Sequence, residues 1–271
     1  MEVATVRVES DDVELEYELR GEGPELVWLH GLSGSLEESR PLCEALSRRF
    51  RVLWYSTRGH GRSSAPVGRA RYSYDVIADD LQRVLDHVGF THPVVGGGSH
   101  GANTALRHAI RHPEVARALL LVAPGANALR RPDRLRWALV RGQMTLAARR
   151  GDAYVVKAIT GHDPRTPDLD PVAQQAVDAA GTHTMTALLE AMRWIPDQQV
   201  VPPAALSAIT VPATVAAWDK DPVLHPIAVA RRIAALLPDA DFVQLPKPSE
   251  MTPAEAHARL ASLVDALLAR S

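Results

Sequence analysis

The sequence predicts an α/β protein with a mostly parallel sheet, helices on both faces and one inserted helical region. Short apolar runs alternate with amphipathic helical patterns through most of the chain, which is typical of parallel sheets with buried strands. The alternation stops between about residues 125 and 205, where no convincing strand appears, and then resumes. The 271 residues are enough for one domain with an insertion.

The elements before the insertion follow from their periodicity. Apolar and polar side chains alternate in two neighbouring segments, which is typical of a half-buried hairpin, whereas continuous apolar runs indicate buried strands. The hairpin strands are expected at 3–8 and 13–19, the buried strands at 25–30, 51–55, 92–97 and 116–122, and the helices at 36–48, 74–88 and 102–112.

The elements from the insertion onward are mostly helical. Within the insertion, helical patterns occupy 134–149 and 171–180, and polar turns with prolines separate them. After it we expect a strand at 211–218, a helix at 227–237 and a strand at 241–245. The last helix begins with a good cap, because Thr252 can accept a backbone hydrogen bond and Glu255 can return one, with Pro253 in the first turn.

Composition limits the partners. The net charge is −2 and the arginine clusters are short, so we expect no nucleic-acid partner.

The single cysteine, Cys43, lies in an apolar helical pattern, which suits a core position and a reducing compartment. The start of the chain lacks a signal-peptide pattern, and no apolar stretch is long enough for a membrane span. The sequence therefore predicts a cytoplasmic protein with a small-molecule substrate and no membrane partner; homo-oligomerisation is left open.

The strongest functional motif is the run from Val94 to Ala102. An apolar strand ends in glycines, Ser99 follows, and a helical pattern starts at once. This is the G-x-S-x-G nucleophile elbow, in which a strained strand-to-helix turn exposes the serine hydroxyl. Glycines flank the serine because a side chain there would collide with a neighbouring strand or helix. The motif predicts nucleophilic catalysis by Ser99.

Two further segments follow strand ends and can serve an acyl-transfer reaction. The glycine-rich turn after His30 can present the backbone N–H of Leu32 to a developing oxyanion, and the N–H of His100 is the natural second donor. An ordinary strand-end turn explains the glycines equally well. Asp221, after a late strand, can orient a catalytic histidine, or it can be a residue of a solvated turn.

Together these segments resemble the α/β-hydrolase superfamily, in particular its small cytoplasmic esterase, haloperoxidase and C–C hydrolase branch. The resemblance rests on the H-G turn at His30, the R-G-H-G-R-S loop at 58–63, the elbow at Ser99 and the D-P-x-x-x-P segment at Asp221. It implies the α/β-hydrolase fold, with core parts at 1–124 and 206–271 and a helical cap at 125–205 that shapes the substrate pocket. We assign no catalytic step to the loop at 58–63.

The chain departs from this family at its catalytic histidine. The family places that histidine on the loop after the last strand, and Glu250 stands there in this sequence. An ordinary glutamate is a poor base for a serine hydroxyl. Beside Asp221, one of the two carboxyls would tend to hold a proton and could act as a general acid. We therefore take Ser99, Asp221 and Glu250 as the candidate catalytic residues.

Other histidines could supply the missing base. His257 lies on the last helix, about two turns past the loop that holds Glu250, His225 follows the Asp221 turn, and His183 lies in the insertion. For these, and for His30 and His100, the sequence favours a structural or solvated role. No metal or organic cofactor is expected, because the histidines lack zinc-ligand spacing and the glycines at 96–98 do not fit a nucleotide fingerprint.

Three functions remain open at this point. The first is a serine hydrolase that acts on a small ester, lactone or related carbonyl compound. The second is a non-hydrolytic biosynthetic enzyme, such as a lyase, cyclase or isomerase, that uses Glu250 as acid or base in the same pocket. The third is an inactive relative that only binds a ligand. One fold hosts many chemistries, so the resemblance alone cannot choose among them.

Overall fold

The computed structural model describes residues 4–8, 13–129, 134–169, 171–181, 183, 185–195, 198–219, 224–247 and 250–271. Its centre is a single sheet. The strands in chain order are β1 (Ala4–Val8), β2 (Val13–Arg20), β3 (Glu25–Leu29), β4 (Arg51–Tyr55), β5 (Val94–Gly98), β6 (Ala118–Val122), β7 (Ala213–Ala217) and β8 (Ala240–Gln244).

The sheet is mostly parallel, as the sequence predicts. Its spatial order is β1-β2-β4-β3-β5-β6-β7-β8. The pairs β1–β2 and β2–β4 are antiparallel, and the other pairs are parallel. All residues of β6 and β7 are buried, which is expected when helices cover both faces of a sheet.

The helices in chain order are α1 (Leu36–Leu46), α2 (Tyr74–Val88), α3 (His100–Arg111), α4 (Arg134–Arg150), α5 (Asp152–Thr160), α6 (Pro171–Gly181), α7 (Met185–Trp194), α8 (Ile227–Leu236) and α9 (Pro253–Leu268). Successive strand side chains point to opposite faces. Val27 and Leu29 therefore join a core with α2, α3 and α8, whereas Leu26 and Trp28 join a core with α1 and α9.

The predicted helical insertion is present between β6 and β7. The described residues of this stretch form α4 to α7 and short 3₁₀ turns, and they contain no strand. We call this stretch the insert. The predicted helices at 134–149 and 171–180 match α4 and α6, and the insert also contains α5 and α7.

The predicted start of the last helix is confirmed. Thr252 caps α9 by accepting from the backbone N–H of Glu255, and the Glu255 carboxylate accepts from the backbone N–H of Thr252. Cys43 is fully buried on α1, and burial raises the pKa of its thiol. Among the helices of the described residues, none has the length and apolar character to cross a membrane.

Candidate active site

Ser99 lies in a sharp turn between β5 and α3. Its backbone has φ 55° and ψ −111°, a conformation that is rare for a residue with a side chain and is found at strained functional turns. The turn is fixed on both sides, because Ser99 N–H donates to Val122 O at 2.9 Å and Asn103 N–H donates to Ser99 O at 3.1 Å. The hydroxyl points into a cavity, as the motif predicts.

Two glycines around Ser99 permit this turn. A Cβ at Gly101 would lie 2.1 Å from Leu29 O, and a Cβ at Gly97 would lie 2.7 Å from the carbonyl carbon of Gly101. Both distances are far inside van der Waals contact, and the neighbours are backbone atoms that cannot move aside. Helix α3 therefore packs directly on the end of β3, which brings the Ser99 turn beside the turn after β3.

His225 is the side chain that meets the serine. Its Nε2 lies 2.7 Å from Ser99 Oγ, a hydrogen-bond distance. His225 lies between β7 and α8, two residues before the helix begins, and Ala126 N–H donates to the adjacent Leu224 O at 2.8 Å. The structure therefore places His225 against Ser99, whereas the sequence favoured a structural or solvated histidine here. The carboxyl ends of β5 and β7 lie on the same edge of a parallel sheet, separated by β6, so a side chain from the β7 loop can reach Ser99.

Two backbone N–H groups beside the serine have no acceptor among the described residues. They belong to Leu32, in the turn after β3, and to His100, the first residue of α3. The first N–H groups of a helix have no partner within the helix. Both residues line the Ser99 cavity, and an ideal Cβ at Gly31 would lie 3.8 Å from Ser99 Cβ. The predicted pair of oxyanion donors is therefore near the serine.

A cluster of buried histidines holds the Leu32 turn. His60 Nε2 lies 2.7 Å from Leu32 O, and the N–H of Thr57 donates to His30 Nε2 at 3.0 Å. His183, from the insert, accepts from Gly61 N–H at 3.0 Å through Nδ1, and its Nε2 lies 3.2 Å from Ser33 O. A carbonyl oxygen can only accept, so His60 and His183 donate from Nε2 to this turn.

Burial keeps these histidines neutral. Desolvation and the nearby His60 lower the pKa of His100 to about 3 and that of His183 to about 4. The pKa values of His30 and His60 are also lowered, mainly by burial. At neutral pH each ring therefore carries one N–H and one acceptor nitrogen, which matches the hydrogen bonds that fix the turn.

Ser99 opens into a cavity of about 1000 Å³. The sheet and the insert both line it. Helix α4 contributes Trp137, Val140 and Met144, whereas α5 and α7 contribute Ile159 and Met192. A largely apolar cavity with a few convergent polar groups is typical of a small-molecule site.

Comparison with known proteins identifies the family. The model of the family described as "alpha/beta hydrolase fold" matches residues 24–253. The chain belongs to the α/β-hydrolase family. It is 30% identical over 244 residues to the protein of Azorhizobium caulinodans named carbamate hydrolase RutD, covering 86% of this chain and 87% of that protein. The relatives of this α/β-hydrolase therefore point to a hydrolase.

Solved structures agree in fold. The enol-lactonase of Burkholderia xenovorans is 24% identical, with a TM-score of 0.78 over 98% of this chain and 100% of that one. An esterase of Thermogutta terrifontis, solved with malate bound, is 20% identical, with a TM-score of 0.77 over 100% of this chain and 99% of that one. At these identities the likeness shows the α/β-hydrolase fold alone.

Glu250 does not meet Ser99 in this α/β-hydrolase. Its side chain is exposed, and its Oε2 accepts from the N–H of Lys247 at 3.0 Å on the same loop. It lines a separate surface depression with Asp219 and Arg259. The geometry gives no support to Glu250 as the acid or base of the Ser99 cavity, because the loop after β8 turns its carboxylate outward.

The remaining candidate residues are Asp221, His257 and His183. Asp221 lies outside the described residues. His257, on α9, lines the Ser99 cavity, and burial lowers its pKa. His183 does not point at Ser99, since both of its ring nitrogens bind backbone groups of other turns. The sequence did carry a signal for His225. A histidine that follows the end of a parallel strand lies at the same edge of the sheet as the elbow.

Proposed function

We propose that this α/β-hydrolase is a serine hydrolase of small esters, lactones or related carbonyl compounds, with Ser99 as nucleophile and His225 as general base. The 2.7 Å between Ser99 Oγ and His225 Nε2 carries the proposal. A nucleophile and base within hydrogen-bond reach, beside paired backbone donors, are the minimal equipment for acyl transfer. The hydrolase names of the relatives support the reaction class.

The reaction runs in two halves. His225 Nε2 takes the hydroxyl proton while Ser99 Oγ bonds to the carbonyl carbon, and the negative oxygen accepts from the N–H groups of Leu32 and His100. When the carbonyl re-forms, the bond to the leaving oxygen breaks and His225 returns the proton to it. A water then attacks the acyl-enzyme, with His225 again as base, and releases the acid and free Ser99.

A third residue would orient His225. We keep Asp221 for this role on sequence position alone, four residues before the histidine. A carboxylate there would accept from Nδ1–H and leave Nε2 free to take the serine proton. The helical insert serves as the cap in this proposal, because α4, α5 and α7 line the cavity opposite the sheet.

Labelling with a fluorophosphonate probe tests the nucleophile and its base. We expect the native protein to label at Ser99 and Ser99→Ala to remain unlabelled. Loss of a general base costs roughly 10²- to 10⁴-fold in rate, so His225→Asn should label slower by about that factor. Asp221→Asn should label more slowly than the native protein.

Glu250→Gln is the matched control, since it removes a carboxylate that lies outside the cavity. It should label at the native rate. Labelling that survives Ser99→Ala or is unchanged in His225→Asn would refute the proposal. A loss of labelling in Glu250→Gln, with His225→Asn unaffected, would instead favour acid–base chemistry by Glu250.

A further inference from the structure

A carboxylate that the proposed reaction does not use also lines the Ser99 cavity. Glu38 lies in the first turn of α1 and lines the cavity, where protein surrounds its side chain but leaves part of its surface accessible. Its Oε2 would lie 2.9 Å from a Cβ built on Gly34, so the carboxylate sits beside the turn that carries the Leu32 N–H. The carboxylate therefore borders the same cavity as Ser99.

The usual structural role of a glutamate at this helix position is not filled by Glu38. Ser35 and Glu38 have the spacing of a capping box, in which the glutamate would bind the backbone N–H of the cap residue. Ser35 Oγ does accept from Glu38 N–H at 3.3 Å, but no reciprocal bond from the Glu38 carboxylate is made. By contrast, the box at the start of α9 closes completely. The carboxylate of Glu38 has turned from its own helix end toward the cavity.

No cation neutralises this carboxylate in the described part of the chain. Its polar partner there is the hydroxyl of Ser39, which donates to Oε2 at 3.2 Å. The neighbouring Glu37 is different, since it forms an ion pair with Arg40. Desolvation by the surrounding protein raises the pKa of Glu38, which reflects the cost of holding a charge there without a partner.

Aromatic rings share the cavity with Glu38. Trp28, Trp137 and Trp218 all line it, which is three of the five tryptophans in the chain. Trp28 and Trp218 pack in the same core face as α1, with Trp28 almost fully buried, whereas Trp137 on α4 is half-buried. Tryptophan faces attract cations, and recognition of alkylammonium groups commonly combines such faces with desolvation. The cavity thus offers two features that suit a positively charged nitrogen.

We propose that Glu38 and the cavity tryptophans bind an alkylammonium group of the substrate, so that the substrate is a cationic ester or lactone. The ester or lactone part of this inference rests on the proposed hydrolase function. Binding of the alkylammonium group does not depend on turnover. A bound cation would pair with the carboxylate and displace poorly held water from the apolar wall.

The test compares acetylcholine with 3,3-dimethylbutyl acetate, its uncharged carbon isostere, by calorimetry. Binding is measured on Ser99→Ala, in which chemistry is removed and the cavity kept, so that failure of turnover cannot be confused with failure of binding. A desolvated cation–π contact contributes about 2 kcal/mol, so we expect acetylcholine to bind at least roughly 30-fold tighter.

Two double variants identify the group responsible. Adding Glu38→Gln removes the charge partner but keeps the tryptophans, so it should lower the preference for acetylcholine and leave the affinity for the isostere unchanged. Adding Glu37→Gln makes the same charge change one residue away and should leave the preference intact. Equal affinity for the two esters, undetectable acetylcholine binding, or a preference that is as large with Glu38→Gln as without it would each overturn the proposal. Hydrolysis of the neutral ester by the native protein tests the proposed function separately.

Discussion

Acidification should destabilise this protein strongly, because several neutral histidines are buried in the fold. Burial is the largest cause of the low pKa values of His100 and His108, both about 3, and of His183, about 4. In the unfolded chain a histidine has a pKa of about 6.5. Below that pH these histidines bind protons in the unfolded state but not in the folded state. The free energy of unfolding therefore falls as the pH falls from about 6.5 toward 4.

The size of the effect follows from those pKa values. Each pH unit below 6.5 costs about 1.4 kcal/mol per histidine that stays neutral in the fold, so each loses about 2 kcal/mol by pH 5. The three together lose about 6 kcal/mol, which is a large part of the 5–15 kcal/mol that stabilises an ordinary protein. We therefore expect the free energy of unfolding to be lower at pH 5 than at pH 7 by about 6 kcal/mol.

Denaturant unfolding at pH 7 and pH 5 measures this loss of stability. A variant at His108 measures the contribution of one histidine. His108 is fully buried, lies on α3, and its Nε2 meets Gln82 Oε1 at 2.9 Å. Replacement by glutamine keeps a hydrogen-bonding side chain and removes the proton site, so His108→Gln should lose about 2 kcal/mol less than the native protein between the two pH values.

His162→Gln is the control for that measurement, since His162 is exposed and its replacement should leave the pH dependence as it is in the native protein. An equal loss of stability in His108→Gln and the native protein would refute the reasoning. So would a native protein whose free energy of unfolding is the same at both pH values.

Three further outcomes are expected. Arg58→Leu should cost about 3–5 kcal/mol in denaturant unfolding, because it leaves Asp80 charged and buried after losing bonds of 2.6 and 2.7 Å. Gly101→Ala should abolish fluorophosphonate labelling, since its Cβ would meet a backbone oxygen at the end of β3, whereas Gly98→Ala meets nothing within 4 Å and should retain labelling. Thr252→Ala should lower stability by about 1 kcal/mol through loss of the α9 cap, as thermal unfolding would detect.

The sequence predicts best what local rules determine. Alternating apolar runs locate the parallel sheet, because strand burial depends on a short window of residues. The elbow is also read from a short motif, although its glycine at 101 is required by contact with β3, which is distant in the chain. The capping box at Thr252 is also read correctly from four adjacent residues.

The partner of Ser99 depends on contacts that no local window contains. Ser99 and His225 are 126 residues apart, and their meeting depends on the order of β5, β6 and β7 in the sheet. The resemblance directed attention to the loop after β8, where Glu250 stands. The orientation of Glu38 is a similar case, because its sequence spacing fits a capping box and only the packing around α1 turns its carboxylate to the cavity.

His183 connects the insert to two turns of the core. One ring binds the backbone of two core turns at once, Gly61 N–H on one side and Ser33 O on the other. If the insert moved at His183, both bonds would break, and Ser33 adjoins Leu32, whose N–H is the proposed oxyanion donor. The turn that carries Leu32 is therefore held from the core by His60 and from the insert by His183.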